Sequence, residues 1–207
     1  MNRVETLYQL RPQPAAFARG YFSYLAEILG QINEASVANF IETLMDARER
    51  GAGIFFIGNG GSAATASHFA NDVAIGSRSW EKPFRAISLT DNVAVITAIA
   101  NDYGYEHIFT LQLKTMMHAG DVVVAISASG NSPNVLNGLE WAKAQGAKTV
   151  ALTGFDGGKL RQIADICVHV PTAKGEYGPV EDVHMVLDHL VGAYLMNACQ
   201  DVVTEKA

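Results

Sequence analysis

The stretch Ile54-Phe55-Phe56-Ile57-Gly58-Asn59-Gly60-Gly61-Ser62 is an apolar run that passes into a glycine-rich turn, and a helical pattern follows from Ser62 to Ile75. Four consecutive apolar residues bounded by glycine have the length and texture of a fully buried parallel strand. In an open α/β sheet such a turn sits at the C-terminal strand edge, where ligands bind. Its glycines permit positive φ and let backbone N–H groups face an anion without a Cβ in the way. The helix beginning near Ser62 adds the positive end of its dipole. No Gly-Lys-Ser/Thr follows, so this is not a nucleotide P-loop. The third glycine of a dinucleotide fingerprint is also missing.

The same texture recurs outward from this turn. Short apolar runs at Ala86–Leu89, Val122–Ile126, Thr149–Leu152 and Ile166–Val170 alternate with helical patterns at Val93–Asn101, Ile108–Met117, Pro133–Gln145 and Lys159–Ala164. Alternation of this kind predicts a parallel sheet covered by helices on both faces. Upstream, two helical patterns run from Ala15 to Ile32 and from Ser36 to Arg50, the second with Ser36 as its expected N-cap. Downstream, a long pattern runs from Val180 to Val202. The expected organisation is an N-terminal helical arm over residues 1–50, part of the same domain, followed by an α/β unit over residues 51–207.

A second loop strengthens the anion reading of the first. Val122-Val123-Val124-Ala125-Ile126-Ser127-Ala128-Ser129-Gly130-Asn131-Ser132-Pro133 is again a buried strand entering a polar turn and a helix. Proline suits the first helical turn, because its missing N–H would have had no partner there. Ser127, Ser129 and Ser132 supply short hydroxyl donors beside that helix start, the chemistry of holding a phosphate dianion without Arg or Lys.

Composition narrows the classes. The 207 residues are 49% hydrophobic and 17% charged, which is globular and not disordered. The formal net charge is −6 with no cluster of Lys or Arg, which disfavours direct nucleic-acid binding. An anionic ligand must therefore be captured by local dipoles. Cys167 and Cys199 form no CxxC pair, so neither a disulfide framework nor a thiolate zinc site is expected. No charge-free apolar stretch reaches the roughly 20 residues of a membrane span, and a cytoplasmic location is expected.

Two helical clusters carry groups capable of proton transfer. His68 and Asp72 are four residues apart and share a helix face. On the last helix, Glu181, His184 and Asp188 lie close to one stripe, with His189 turned to its flank.

The pair Gly-Asn-Gly-Gly-Ser (58–62) and Ser-Ala-Ser-Gly-Asn-Ser (127–132) resembles the sugar isomerase (SIS) domain, and within it the phosphoheptose isomerases. Ser67-His68-Phe69-Ala70, Ala100-Asn101-Asp102-Tyr103-Gly104 and Leu152-Thr153-Gly154-Phe155-Asp156-Gly157-Gly158 carry the resemblance further. It implies a flavodoxin-like, five-stranded parallel sheet in a three-layer sandwich, assembled as a homotetramer with active sites at subunit contacts. It implies substrate binding by Asn59, Gly60, Gly61, Ser62, Asn101, Asp102, Ser127, Ala128, Ser129, Ser132 and Glu181. It places a catalytic base at Asp72, where the family carries Glu, and a catalytic acid at His189. Zinc would be held by His68, Asp72, Glu181 and His189, Glu181 standing where the family carries Gln. His184 matches a family histidine expected to be structural. The segment from Thr172 to Pro179 is expected to be a loop over the pocket, without the family's Arg and Asp before the last helix.

The activity so implied is aldose–ketose isomerisation of sedoheptulose 7-phosphate through an enediol. The alternatives are a non-catalytic sugar-phosphate sensor or adaptor on the same fold, and isomerisation of another phosphosugar.

Overall fold

The computed structural model describes residues 2–199. Five parallel strands, β1 (Gly53–Gly58), β2 (Arg85–Ser88), β3 (Val122–Ser127), β4 (Lys148–Thr153) and β5 (Ile166–His169), form one sheet in the order β2-β1-β3-β4-β5. The helices are α1 (Arg3–Leu10), α2 (Pro14–Leu29), α3 (Glu34–Arg50), α4 (Gly61–Asn71), α5 (Val93–Asp102), α6 (Ile108–Met116), α7 (Pro133–Ala144), α8 (Gly158–Ile163) and α9 (Tyr177–Cys199).

Strand residues alternate between two cores, as the pleat requires. Ile54 and Phe56 face the layer of α2, α3, α4 and α9, with Phe40, Leu44, Phe69, Leu187 and Val191. Phe55 and Ile57 face the opposite layer, with Phe109, Leu113, Val135 and Leu139 of α6 and α7. The stacked rings of Phe56 and Phe69, 5.1 Å apart, fix α4 against β1.

The expected strands are all present, each extending within a residue or so of its predicted ends. Four details differ. An N-terminal helix, α1, precedes the expected two; Asn2 and Glu5 form a capping box that starts it. The cap of α3 is Asn33, whose side chain accepts from Ser36 N–H at 3.0 Å, so Ser36 lies inside the helix. The helix after the first loop ends at Asn71 and gives way to a π-turn over Asp72–Gly76. The last helix starts at Tyr177; its expected continuation to Val202 runs past the described residues.

Sheet order positions the site. β1 is flanked by β2 and β3, so the chain crosses to opposite sides after the two central strands. A crevice opens at that switch point, outside the strand C-termini. The turns there are Gly58–Ser62 and Ser127–Ser132.

Candidate active site

Two helix N-termini meet at the switch point. Gly60 adopts φ +54° and ψ −123°, which a side chain would strain, and α4 begins at Gly61 with no side-chain cap. α7 begins at Pro133, and its N-cap Ser132 also makes no side-chain capping bond. The serines of the second loop are thus not consumed as helix caps. Gly130 N–H donates to Ser127 Oγ (3.2 Å) and Asn131 N–H to Ser129 Oγ (3.3 Å). Both hydroxyls act as acceptors within the loop, which leaves their protons to donate to a ligand. Ser127 Oγ is 3.5 Å from Ser132 Oγ, and Ser62 and Ser127 are both buried. Uncapped helix starts, positive-φ glycine and free hydroxyl protons together make an anion cradle.

Asn59 has a different job from direct side-chain capture. Its Nδ2 donates to Asn134 Oδ1 (2.8 Å), while its Oδ1 accepts from Asn134 Nδ2 (2.8 Å) and from Tyr105 Oη (3.0 Å). This amide pair ties the first loop to the start of α7 and so sets the spacing of the cradle. Sequence inspection missed Asn134 and Tyr105; nothing local marks them, because the pairing spans 75 residues.

α4 and α9 run side by side in the same direction. Gly61 lies against the Glu181 carboxylate and Gly192 against Asp72, and the His68 and His189 rings meet edge to face, 5.2 Å apart. At Gly192 a Cβ would meet Asp72 Oδ2 at 3.4 Å, an ordinary van der Waals contact. In the groove between the helices, His189 Nε2 is 3.3 Å from His68 Nε2. His68 Nε2 is 3.6 Å from Asp72 Oδ2 and 3.9 Å from Asp188 Oδ2. Asp72 Oδ1 accepts from Asn71 Nδ2 at 3.1 Å. His68, Asp72, Asp188 and His189 present one ligand atom each, all within 4.8 Å of one another.

This group differs from the expected ligand set in one member. Asp188 belongs to it and Glu181 does not. Glu181 precedes His189 by eight residues, about 12 Å along a helix, and its carboxylate is turned to Gly61 and not to the group. Glu181 instead lies beside Gly61 at the cradle, its carboxyl raised by burial and then by the charge of Asp182.

Asp188 is fully buried, and neither carboxylate oxygen has a hydrogen-bond partner. Burial, reinforced by the charge of Asp72, pushes its carboxyl up to about 7. A desolvated carboxylate without a donor is costly, and such groups are normally paired or bound to metal. Two imidazoles and two carboxylates with converging atoms therefore fit a divalent cation. His184, one turn earlier, is also fully buried, but its Nε2 faces Thr153 O at 3.4 Å. Burial pushes His184 down to about 4, so it is neutral and pins α9 to the end of β4.

Other expected residues lie elsewhere. Asn101 and Asp102 are exposed at the end of α5, where Asn101 Nδ2 donates to Asp102 Oδ1 (2.7 Å). Among the described residues no hydrogen bond links them to either loop. The segment expected as a loop up to Pro179 ends sooner, at the start of α9. Its Thr172 and Lys174 do line a cleft of about 270 Å³ with Ser129, Asn131 and Tyr177. The segment is anchored: buried Glu176 accepts from Arg3 N–H (2.7 Å), Tyr24 Oη (2.6 Å) and Ala173 N–H (2.9 Å). A wider hollow of about 690 Å³, between α3 and the N-terminal ends of β4 and β5, mixes Arg50 and Lys148 with Glu42, Asp46 and Asp165. It offers an anion no convergent donors.

An open parallel sheet with an anion cradle at its switch point and a proton-transfer group on the adjoining helices defines a phosphosugar-handling α/β domain. The family model described as "SIS domain" matches residues 20–154. A phosphoheptose isomerase from Rhodospirillum rubrum is 39% identical over 141 residues, covering 68% of this chain and 74% of its own. One from Geobacter sulfurreducens is 39% identical over 155 residues, covering 75% and 81%. The solved phosphoheptose isomerase GmhA from Neisseria gonorrhoeae superposes with a TM-score of 0.77 at 30% identity, covering 87% of this chain and 97% of that one. The chain belongs to the SIS-domain family and, within it, to the phosphoheptose isomerases.

Proposed function

We propose that this protein interconverts sedoheptulose 7-phosphate and D-glycero-D-manno-heptose 7-phosphate through an enediol. The observation that carries the proposal is the pairing of an anion cradle, built of two uncapped helix starts and serine hydroxyls, with the His68–Asp72–His189 group alongside. The sugar named is that of the relatives' activity.

The phosphate accepts from the hydroxyls of Ser62, Ser127, Ser129 and Ser132 and from the open N–H groups at Gly60, Gly61 and Ala128. Asp72 removes the proton from the carbon beside the carbonyl, and His189 serves the carbonyl oxygen. The same carboxylate then returns the proton to the neighbouring carbon. Glu181, at the rim of the cradle, accepts from sugar hydroxyls.

A divalent cation, zinc by donor chemistry, fits beside His68, Asp72 and His189; when bound it supplies a Lewis acid for the substrate oxygens. Cradle and group are seven to eleven residues apart along α4, about 10–16 Å. We therefore place the complete site at a contact between subunits of a homotetramer. The apolar helix α5, which buries none of its residues within the chain, supports such a contact, as do the exposed rings of His68 and His189. Among the described residues no helix is long and apolar enough to cross a membrane, and the proposed location is the cytoplasm.

The direct test is incubation of the purified protein with sedoheptulose 7-phosphate, followed by NMR detection of the aldose, with and without zinc and a chelator. Aldose formation that Asp72→Asn and His189→Ala both abolish is the expected result. Binding without product points to a sensor on the same fold or to a different phosphosugar, and overturns the heptose assignment.

A further inference from the structure

We infer that Asp188 is itself a ligand of the cation, holding it from the buried side, and that Glu181 is not. The inference rests on the reading that the His–Asp group takes a divalent ion, and it changes which residue of α9 supplies the anionic donor.

Asp188 lies wholly inside the protein with both oxygens unpartnered, and Asp72, the other carboxylate in the group, adds repulsion instead of relief. No Lys or Arg pairs with either carboxylate among the described residues. The nearest group of opposite polarity, His68 Nε2 at 3.9 Å, is too far for a hydrogen bond. The two facing imidazole nitrogens, 3.3 Å apart, can share one N–H···N hydrogen bond when no ion is present and can both turn their lone pairs to an ion when one is.

One ion in the middle accounts for all of this. Metal bonds of about 2.0–2.1 Å in tetrahedral array put neighbouring donors roughly 3.3–3.4 Å apart. The observed 3.3, 3.6 and 3.9 Å, in a group whose donor atoms all lie within 4.8 Å of one another, contract to that cage by side-chain rotation. Two carboxylates neutralise a doubly charged ion, and the nitrogen–oxygen donor set suits zinc. The functional consequence lies at the rim. Asp188 is buried, His189 is exposed and Asp72 is half-buried. With Asp188 retaining the ion from below and His68 beside it at the rim, Asp72 or His189 can leave it to handle the substrate proton without the ion being lost.

The test uses the full chain, stripped with chelator, and three variants: Asp188→Asn, Asp188→Leu and Glu181→Gln. Cobalt(II) is titrated in and followed by its visible absorption; zinc is followed by bound stoichiometry and thermal midpoint. Wild type and Glu181→Gln should bind one cobalt per chain with a low-symmetry, four-coordinate spectrum. Both Asp188 variants should bind on the order of 100-fold more weakly or worse. Metal-free Asp188→Leu should melt above metal-free wild type, because the uncompensated buried charge is gone; zinc should then raise only the wild-type and Glu181→Gln midpoints. If Asp188→Leu does not fold, the Asp188→Asn titration decides. Undiminished metal binding by the Asp188 variants overturns the inference, and so does loss of binding in Glu181→Gln. If wild type binds neither ion, the cation reading falls together with it.

Discussion

The anion cradle and the His–Asp group both depend on α4, yet the chain builds them by opposite means. The cradle is neutral and local: two turns of five or six residues, each following a buried strand, with glycine φ angles and serine hydroxyls as its working parts. The group is charged and non-local. His68 comes from α4 and Asp72 from the π-turn that continues it, Asp188 and His189 from a helix more than a hundred residues later, and only the packing of this segment on α9 brings them together. The cradle can tolerate a ligand's departure because its backbone is fixed by the sheet. The group holds a carboxylate at 0% exposure with no hydrogen-bond partner for either oxygen.

If the two regions divide the work between holding and proton transfer, substitutions should divide the kinetics in the same way. The largest effect belongs to the group. Asp72→Asn or His189→Ala should lower kcat by about 10²–10⁴-fold, the usual yield of a positioned acid or base. Phosphosugar affinity by calorimetry should stay within a few-fold of wild type. A parallel collapse of affinity would erase the distinction.

Acid should strike the α9 side next. His184 titrates at about 4 in the fold against 6.5 unfolded, depressed by burial and by neighbouring His169 despite the carbonyl of Thr153. The unfolded chain therefore takes up the proton first. Stability should fall as pH drops from 6.5 to 4, by about 3 kcal/mol in total, and this contribution should level off below that. Urea unfolding at a series of pH values measures the slope, and His184→Leu should flatten it. An unchanged slope in that variant assigns the acid sensitivity elsewhere.

On the cradle, Ser127→Ala and Ser132→Ala each remove a donor to a charged phosphate, worth about 1.5–3 kcal/mol. KM should rise about tenfold or more while kcat and metal content hold. A drop in kcat alone would mean that these serines serve the chemistry instead. The smallest effect is expected at Asn59→Ala, which opens the amide pair with Asn134. A loss of about 1 kcal/mol in stability and a modest rise in KM should accompany it, read by thermal melting and steady-state rates.

The same contrast explains what the sequence disclosed. Strand–helix alternation and the two turns are short-range patterns, so the strands were legible to about a residue and most of the helices to within a few residues. The α4 half of the group was legible too, since four-residue spacing on a helix fixes a shared face. Asp188 stood visibly on the stripe of α9, but choosing it over Glu181 required the alignment of α9 on α4. Sequence spacing alone cannot supply that alignment. The π-turn over Asp72–Gly76 was likewise hidden: it packs against α9, a contact more than a hundred residues distant in sequence. The first helix was overlooked although Asn2 and Glu5 announce it, because eight residues carry too little apolar periodicity to register.

The most direct measurement is solvent exchange. Wild type, Asp72→Asn and Ser127→Ala are incubated with saturating sedoheptulose 7-phosphate in deuterated water, and deuterium at C1 is followed by NMR. The account predicts incorporation by wild type and by Ser127→Ala once saturated, and none by Asp72→Asn although it still binds the sugar. Exchange by Asp72→Asn at the wild-type rate would contradict it, moving proton transfer away from the group between α4 and α9.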